Sequence, residues 1–512
     1  MARMKRLRPT SDGGAGVDRL SALPDDVLRL ILRRLDTRTA LSTAALGRRW
    51  ARLPRDLPAL DISVTDVLPR RYHRALAALR RARPSPASAD AILELDAIVA
   101  RCERRAMRAF ADGVAGLLDA TDGSDDGDDR RRAKRLRLEF FPTEESGCVG
   151  RLIPAAVGAW GVEDLELAAR PPHLDLSDDD APAYAFPHHL LDDELHRSRI
   201  RRLALSNCAP PPPLHRYAAL AALVLRDMPA STPAATYQKL LAVRSPLETL
   251  RLVSCGCAGK RRLVISAPGS RLRELVVDGC SFLALELHTL PALERLACLG
   301  DSVELRLGGG VPRLAHVNLS FSRKGAWGHD ELGCFLDGAA SVGSLAVRLT
   351  GPSRWIVPQP LATKLSALRR LLVAEVPSSW DVTWTRILLV AAPALEVMHI
   401  RVAPSQPDDE PGSEINWPAF KFRHRRLQEV VLAGFARTWR QIFFVRYLAR
   451  VCKAMQRVLL LKDWCVKEKG LWDWELVQQQ ECPWSEEDKK VIRKQVKYGK
   501  CWCRPLLQVI VG

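Results

Sequence analysis

The pattern L-x-x-L-x-L, with conservative apolar swaps, recurs twelve times between residues 162 and 460. It reads VEDLEL (162–167), IRRLAL (200–205), LAALVL (220–225) and LETLRL (247–252). It continues as LRELVV (272–277), LERLAC (293–298), LAHVNL (314–319) and VGSLAV (342–347). LRRLLV (368–373), LEVMHI (395–400), LQEVVL (427–432) and MQRVLL (455–460) complete it. Successive starts lie 20 to 38 residues apart, mostly 21 to 28. Self-similarity at such a period marks a solenoid, because no single unit can bury its own apolar face. Each unit is expected to supply one short strand and a return segment, stacked into a continuous core.

This period is that of leucine-rich repeats with irregular returns. A strand alternates its side chains, so the x positions face outward, onto the concave side of the array. They read Arg202, Arg226, Arg251, Arg295, His316, Arg348, Arg370, His399, Arg401 and Arg457, against fewer acids: Asp164, Glu166, Glu274, Asp278 and Glu429. The expectation is a face basic in its middle and C-terminal parts. Arg202, Arg226, Arg251, Arg295, His316, Arg348, Arg370 and Arg401 are the candidate substrate-binding residues. Such a face suits an acidic or phosphorylated protein segment, or a small polyanion.

Three units carry Cys at the ninth position: Cys208, Cys255 and Cys280. A small polarisable side chain there can turn the backbone inward and bury a weak donor. Cys255-x-Cys257 is half a metal motif at most, since no second pair or His stands at zinc spacing. His188, His189, Asp192, Asp193 and His196 lack the HExxH pattern and read as a surface loop or short helix.

The N-terminal stretch DRLSALPDDVLRLILRRLDTRTALSTAALGRRWARLP (18–54) is too short to be a domain and too apolar to stand alone. Leu23-Pro24-Asp25-Asp26 opens a helix, with the two Asp at the positive end of its dipole. Val27, Ile31, Leu35, Leu28 and Leu32 span an arc of roughly 140°, widened by Leu30 to roughly 200°. A stripe of about 100° suffices to sit on a chain's own core, so the excess implies a second apolar contact. A second helix over Thr37 to Leu46, N-capped by Thr37, and a third turn from Arg48-Arg49-Trp50 follow.

DRLSALPDDVLRLILRRLDTRTALSTAAL followed by GRRW resembles the F-box of the plant F-box/leucine-rich-repeat (FBD-like) family. That family usually has Ser at the position of Gly47 and Trp near Pro54, so the third helix is expected to be short here. The resemblance implies an adaptor: the substrate-recognition subunit of an SCF-type ubiquitin ligase. The F-box would dock a Skp-type protein, and through it a cullin, by Leu23, Pro24, Leu28, Ile31, Leu32, Leu35, Leu46 and Trp50. Some relatives hold an inositol phosphate on the solenoid, so a polyanion is possible by analogy; no other cofactor is implied.

The whole chain of 512 residues carries a net charge of +18. That balance admits nucleic acid in principle, but no helix-turn-helix, zinc-finger or RNP-type motif accompanies it. No apolar run reaches the ~18 residues of a membrane helix, and the longest, Ile387 to Ile400, contains Pro393 and Glu396. The basic start lacks an apolar h-region, and thirteen scattered Cys point to reduced thiols in cytoplasm or nucleus. There is no P-loop, GxSxG or HExxH, so nothing suggests an enzyme.

The expected organisation is a disordered basic tail (1–17), the F-box (18–58) and a helical linker with an acidic loop (59–135). The repeats (136–462) and a Trp-rich C-terminal cap (463–512) follow. Linker helices are expected around Arg70 to Arg81 and Cys102 to Leu118. In the last block, Ser485 to Asp488 opens a helix to about Lys497 with Val491, Ile492 and Val496 buried, and CWCRPLLQVIVG ends in a strand. Cys465, Cys482, Cys501 and Cys503 are spaced too irregularly for a metal site. The fold class is α/β: a three-helix F-box, an irregular leucine-rich-repeat solenoid and a cap. Alternatives to the ligase adaptor are a non-ligase repeat scaffold and a receptor that needs a small molecule or polyanion.

Overall fold

The computed structural model describes residue 20 and residues 22–82, 89–122, 131–173, 183–187, 199–209, 214, 217–242, 246–259, 261–300, 303–322, 331–350, 364–378, 382–404, 422–478, 484–497 and 507–512. All twelve motifs form strands, each beginning two residues after its motif does. The first six are Asp164–Ala169, Arg202–Ser206, Ala222–Arg226, Thr249–Val253, Glu274–Asp278 and Arg295–Leu299. The other six are His316–Ser322, Ser344–Thr350, Arg370–Pro377, Val397–Ala403, Glu429–Ala433 and Arg457–Leu461. They lie side by side in a 15-stranded sheet whose neighbours are all parallel.

The register explains the motif. Leu165, Leu203, Leu223, Leu250, Leu275 and Leu296 align across neighbouring strands, and all are fully buried or within 1% of it. Two positions on, Leu167, Leu205, Leu225, Leu252 and Val277 make a second buried row. The first apolar residue of each motif packs into the same core from the turn before the strand. In the middle repeats the returns are strands as well: Arg262–Ser266, Ala284–Thr289 and Glu304–Gly310 form their own three-stranded parallel sheet.

Six of the turns out of the sheet are left-handed. Asn207, Asp227, Ser254, Gly279, Gly300 and Gly434 all have positive φ, and Asn, Asp and Gly tolerate that region best. The next side chain is thereby swung into the core: Cys208, Met228, Cys255, Cys280 and Phe435 are all at most 5% exposed. The buried thiols donate to strand carbonyls, Cys255 to Leu225 at 3.4 Å and Cys280 to Leu252 at 3.4 Å. This is the inward turn expected of the ninth-position cysteine.

Three strands of the main sheet lie outside the twelve motifs. Gln508–Val511 pairs with Arg457–Leu461 and forms one edge, as the tail pattern suggested. Ala59–Ser63 and Arg135–Phe140 start the sheet at the other end, so the segment expected to be a helical linker opens with a strand. The linker helices are Arg70–Arg81 and a longer one than expected, Ala89–Asp122. Arg131, within the segment expected to hold the acidic loop, is buried: its guanidinium donates to the Pro54 carbonyl at 3.1 Å and lies over the Trp160 ring. Burial lowers its pKa to about 10.

The N-terminal helices are Asp25–Leu32, Thr37–Ser42 and Arg48–Arg52, with 3-10 turns at Thr43–Leu46 and Leu53–Asp56. The second is shorter than expected and its N-cap is Asp36, not Thr37: the Asp36 carboxylate accepts from Thr39 N–H at 2.9 Å. Thr37 serves the sheet instead, its hydroxyl accepting from the Asp61 N–H at 2.8 Å. Leu28, Leu32, Ala40, Trp50, Leu53 and Leu57 belong to the same continuous core as the repeats. No helix among the described residues is long and apolar enough to cross a membrane.

Candidate protein-recognition sites

The first helix divides its apolar residues between two environments. Leu28 and Leu32 are buried at 0% and 1%, whereas Val27, Leu30, Ile31 and Leu35 are exposed by 38%, 60%, 37% and 39%. Leu46 is 68% exposed and Leu20 55%. Arg49 ties the third helix back to the start of the first, pairing with Asp25 at 2.6 Å and donating to the Leu23 carbonyl. Among the eight expected contacts, Pro24, Ile31, Leu35 and Leu46 thus lie at the surface and Leu23 is half-buried. Leu28, Leu32 and Trp50 are buried in the chain's own core, beneath that surface.

On the sheet, the eight candidate substrate residues share one face, opposite the buried leucine rows. Arg202, Arg295, His316 and Arg370 occupy the first register position of their strands, Arg251 the third, and Arg226 and Arg348 the fifth. The arginines are not free, because every arginine of the set has a carboxylate beside it. Arg202 pairs with Asp164 at 2.9 Å, Arg226 with Glu166 at 3.3 Å, and Arg251 with Glu274 at 2.7 Å. Arg295 reaches the same Glu274 at 3.6 Å, and Arg401 pairs with Glu375. The acids are fewer, but Glu166 and Glu274 each serve more than one arginine.

Two of the carboxylates come from elsewhere in the chain. Strands Trp464–Lys469 and Asp473–Gln478 form an antiparallel hairpin that lies across this open face. Glu468 pairs with Arg348, and Asp473 with Arg370 at 3.0 Å. The hydrogen bond from Arg370 holds the Asp473 carboxyl below its usual range. Trp474 is 8% exposed and packs on Ala346, Leu372 and Ala374, with the Arg370 guanidinium 4.6 Å from its ring. Its indole N–H donates to His399 Nδ1 at 3.0 Å. Indole is a donor only, so that His399 nitrogen is the acceptor and Nε2 carries the proton toward Glu429 at 3.3 Å.

Further along, the Asn318 amide donates to the Leu471 carbonyl at 2.9 Å, and the Trp472 indole to Glu274 at 3.1 Å. Burial, then Arg295 and Arg370, lower the pKa of His316.

Sequence reasoning missed this hairpin by reading the whole C-terminal block as a cap. The block divides instead: the hairpin covers the middle strands, while helix Glu486–Val496 packs by Ile492 and Val496 into the core near the sheet's end. Val491, expected to be buried there, is 40% exposed. A signal was present in VKEKGLWDW, two alternating runs around Gly470, which adopts a φ of +73° at the turn.

No group of three or more metal-ligating side chains occurs among the described residues. The 188–196 cluster and Cys482, Cys501 and Cys503 lie outside them.

An apolar N-terminal helical segment fused to a parallel repeat sheet with a polar open face defines an F-box-headed leucine-rich-repeat protein. The F-box family model matches residues 20–59, and that of the At1g61320/AtMIF1 LRR domain matches 132–462, more than half of the chain. The chain belongs to this leucine-rich-repeat family. Among curated proteins of Arabidopsis thaliana, it is similar to the F-box protein At1g60400, with 40% identity over 53 residues (10% of this chain, 13% of the relative). It is also similar to the putative F-box/FBD/LRR-repeat protein At5g22670, 39% identical over 57 residues (11% and 13%). A third relative, F-box protein At5g03100, is 31% identical over 86 residues (17% and 27%). The matches therefore span 13% to 27% of those relatives' lengths.

Proposed function

We propose that the chain is the substrate-recognition subunit of an SCF-type ubiquitin ligase. Its F-box segment would dock a Skp-type adaptor, and through it a cullin, in cytoplasm or nucleus. The observation that carries this is the set of exposed apolar residues Val27, Leu30, Ile31 and Leu35, together with the exposed Leu46, on a segment whose other half is locked into the core. Exposed apolar side chains gathered in one short segment mark an interaction site rather than a solvated surface. The protein itself would do no chemistry; it would hold a substrate's lysines near charged ubiquitin.

The open face of the sheet would receive the substrate, through Arg202, Arg226, Arg251, Arg295, His316, Arg348, Arg370 and Arg401. Because each arginine already faces a carboxylate, a protein segment that exchanges one acid for another fits better than a free polyanion. The helix and strand at the C-terminal end would close the array against further stacking.

The test is capture of a Skp-type adaptor by the full chain. Ile31→Glu with Leu46→Glu should abolish capture with an unchanged melting curve. Retained capture would overturn the assignment of this surface. A folded wild-type chain that captures no adaptor would be a repeat scaffold instead.

A further inference from the structure

The hairpin Trp464–Gln478 occupies the face on which a partner would bind, yet it is attached to that face lightly. It shares no strand pairing with the main sheet; its ladder is internal, from Trp464↔Gln478 to Lys469↔Asp473. Its apolar anchor, Trp474 on Ala346, Leu372 and Ala374, forms a small cluster separate from the continuous core. The acids of its ion pairs are half-open to water, Asp473 by 54% and Glu468 by 45%, with Arg370 43% exposed and Arg348 18%. Exposed pairs of that kind hold weakly, and a two-stranded hairpin alone is marginal in water. What holds it is a pattern of chemistry: an acid to Arg348, an acid to Arg370, a neighbouring tryptophan whose N–H meets His399, and at the turn the hydrogen bonds of Leu471 with Asn318 and of Trp472 with Glu274.

We infer that the hairpin is a displaceable occupant of the recognition face. The partner is then an acidic segment that carries a tryptophan beside an aspartate for His399 and Arg370 and a further acid for Arg348, and it binds by taking the hairpin's place. This rests on the reading of the open face as the substrate site. It adds the chemical class of the substrate segment and a built-in competitor that sets how tightly a segment must bind. A substrate that matches the pattern poorly leaves the hairpin in place, so the contact works as a threshold rather than a permanent block.

The probe is a fluorescent peptide of residues 464–478 with Cys465→Ser, titrated against the full chain. The variant Glu468→Ala/Asp473→Ala/Trp474→Ala, whose own hairpin is loosened, should bind the peptide at least tenfold more tightly than the wild type. Adding Arg348→Glu and Arg370→Glu to that variant should remove the gain. Equal affinity in wild type and variant, or no binding by the folded variant, overturns the inference.

Hydrogen exchange on the unmodified chain gives an independent reading. The amides of 466–477 should exchange at least a hundredfold faster than those of Arg370–Pro377, and excess peptide should speed them further. Equal protection overturns the inference too. Adaptor capture is measured separately: its loss would sink the ligase reading while leaving the peptide result standing.

Discussion

Ile31 and Leu32 are adjacent in one helix and belong to different surfaces: Ile31 is 37% exposed, and Leu32 is 1% exposed within the core that continues into the repeats. Substitutions at the two positions should therefore separate cleanly. Leu32→Ala should cost about 2–5 kcal/mol in stability, seen as a lower urea midpoint. Ile31→Glu should leave that midpoint in place and weaken adaptor capture. Equal effects of both on stability would mean that Ile31 packs internally.

His424 gives the chain a sensitivity to acid. It is 3% exposed; its Nδ1 accepts from the Leu427 N–H at 3.0 Å, so Nε2 carries the proton and donates to the Ala392 carbonyl at 2.9 Å. Burial lowers its pKa below the usual 6.5. The unfolded chain thus takes up the proton first, so this stability is complete above about pH 6.5 and is lost as pH falls. The loss is at most about 1.4 kcal/mol per pH unit. The melting temperature should drop between pH 7 and pH 5.5, and His424→Gln should flatten that drop while lowering stability at pH 7.

Gly434 shows where the repeat turn tolerates no side chain. Its φ is +72°, and a Cβ there would lie 2.1 Å from the Val402 carbonyl oxygen. Gly434→Ala should cost about 3 kcal/mol, combining left-handed strain with backbone movement. Gly113, in the helix Ala89–Asp122 with open space around it, is the control. Gly113→Ala should add about 0.5–1 kcal/mol. Urea denaturation of the two variants checks both signs.

Cys208, Cys255 and Cys298 should be inert. Burial pushes the thiols of Cys208 and Cys298 up to about 12. The hydrogen bond with Cys280, followed by burial, pushes Cys255 up as well. At pH 8 roughly one part in ten thousand of a thiol with such a value is ionised. Iodoacetamide mapping of the native protein should leave these three unmodified, with labelling appearing on unfolding. Rapid native labelling of Cys255 would contradict the hydrogen-bonded turn.

The repeats were legible because burial writes directly into sequence: a leucine that faces the core on every turn cannot change type freely. All twelve motifs became strands for that reason. Ala59–Ser63 was missed although LPALDI (57–62) fits the pattern, because it starts 76 residues before Arg135–Phe140 and so falls outside the repeat period; RLRLEF alternates, but the small Ala133 stands where the repeats carry a larger apolar residue. The first helix revealed an apolar surplus, but not which half of it was already spent inside. Distinguishing Leu28 and Leu32 from Ile31 and Leu35 requires knowing where the core lies. The ion pairing of this face was not legible because an arginine's partner need not be near it in sequence. Asp473 stands 103 residues beyond Arg370. Composition counts charges and is blind to which of them meet.

One last consequence follows from Ala59–Ser63. The F-box match ends at residue 59, where the first strand of the sheet begins, and Arg132 and Lys134 hydrogen-bond back to Arg55 and Pro58. Among the described residues, these hydrogen bonds and a shared core tie the F-box segment directly to the start of the sheet. Fifteen strands at about 4.8 Å spacing make a ruler of roughly 65–70 Å along the sheet. A cargo seated on one strand rather than another would therefore present its lysines at a fixed distance from the docked machinery. The strand at which a target binds would select which of its lysines can be reached.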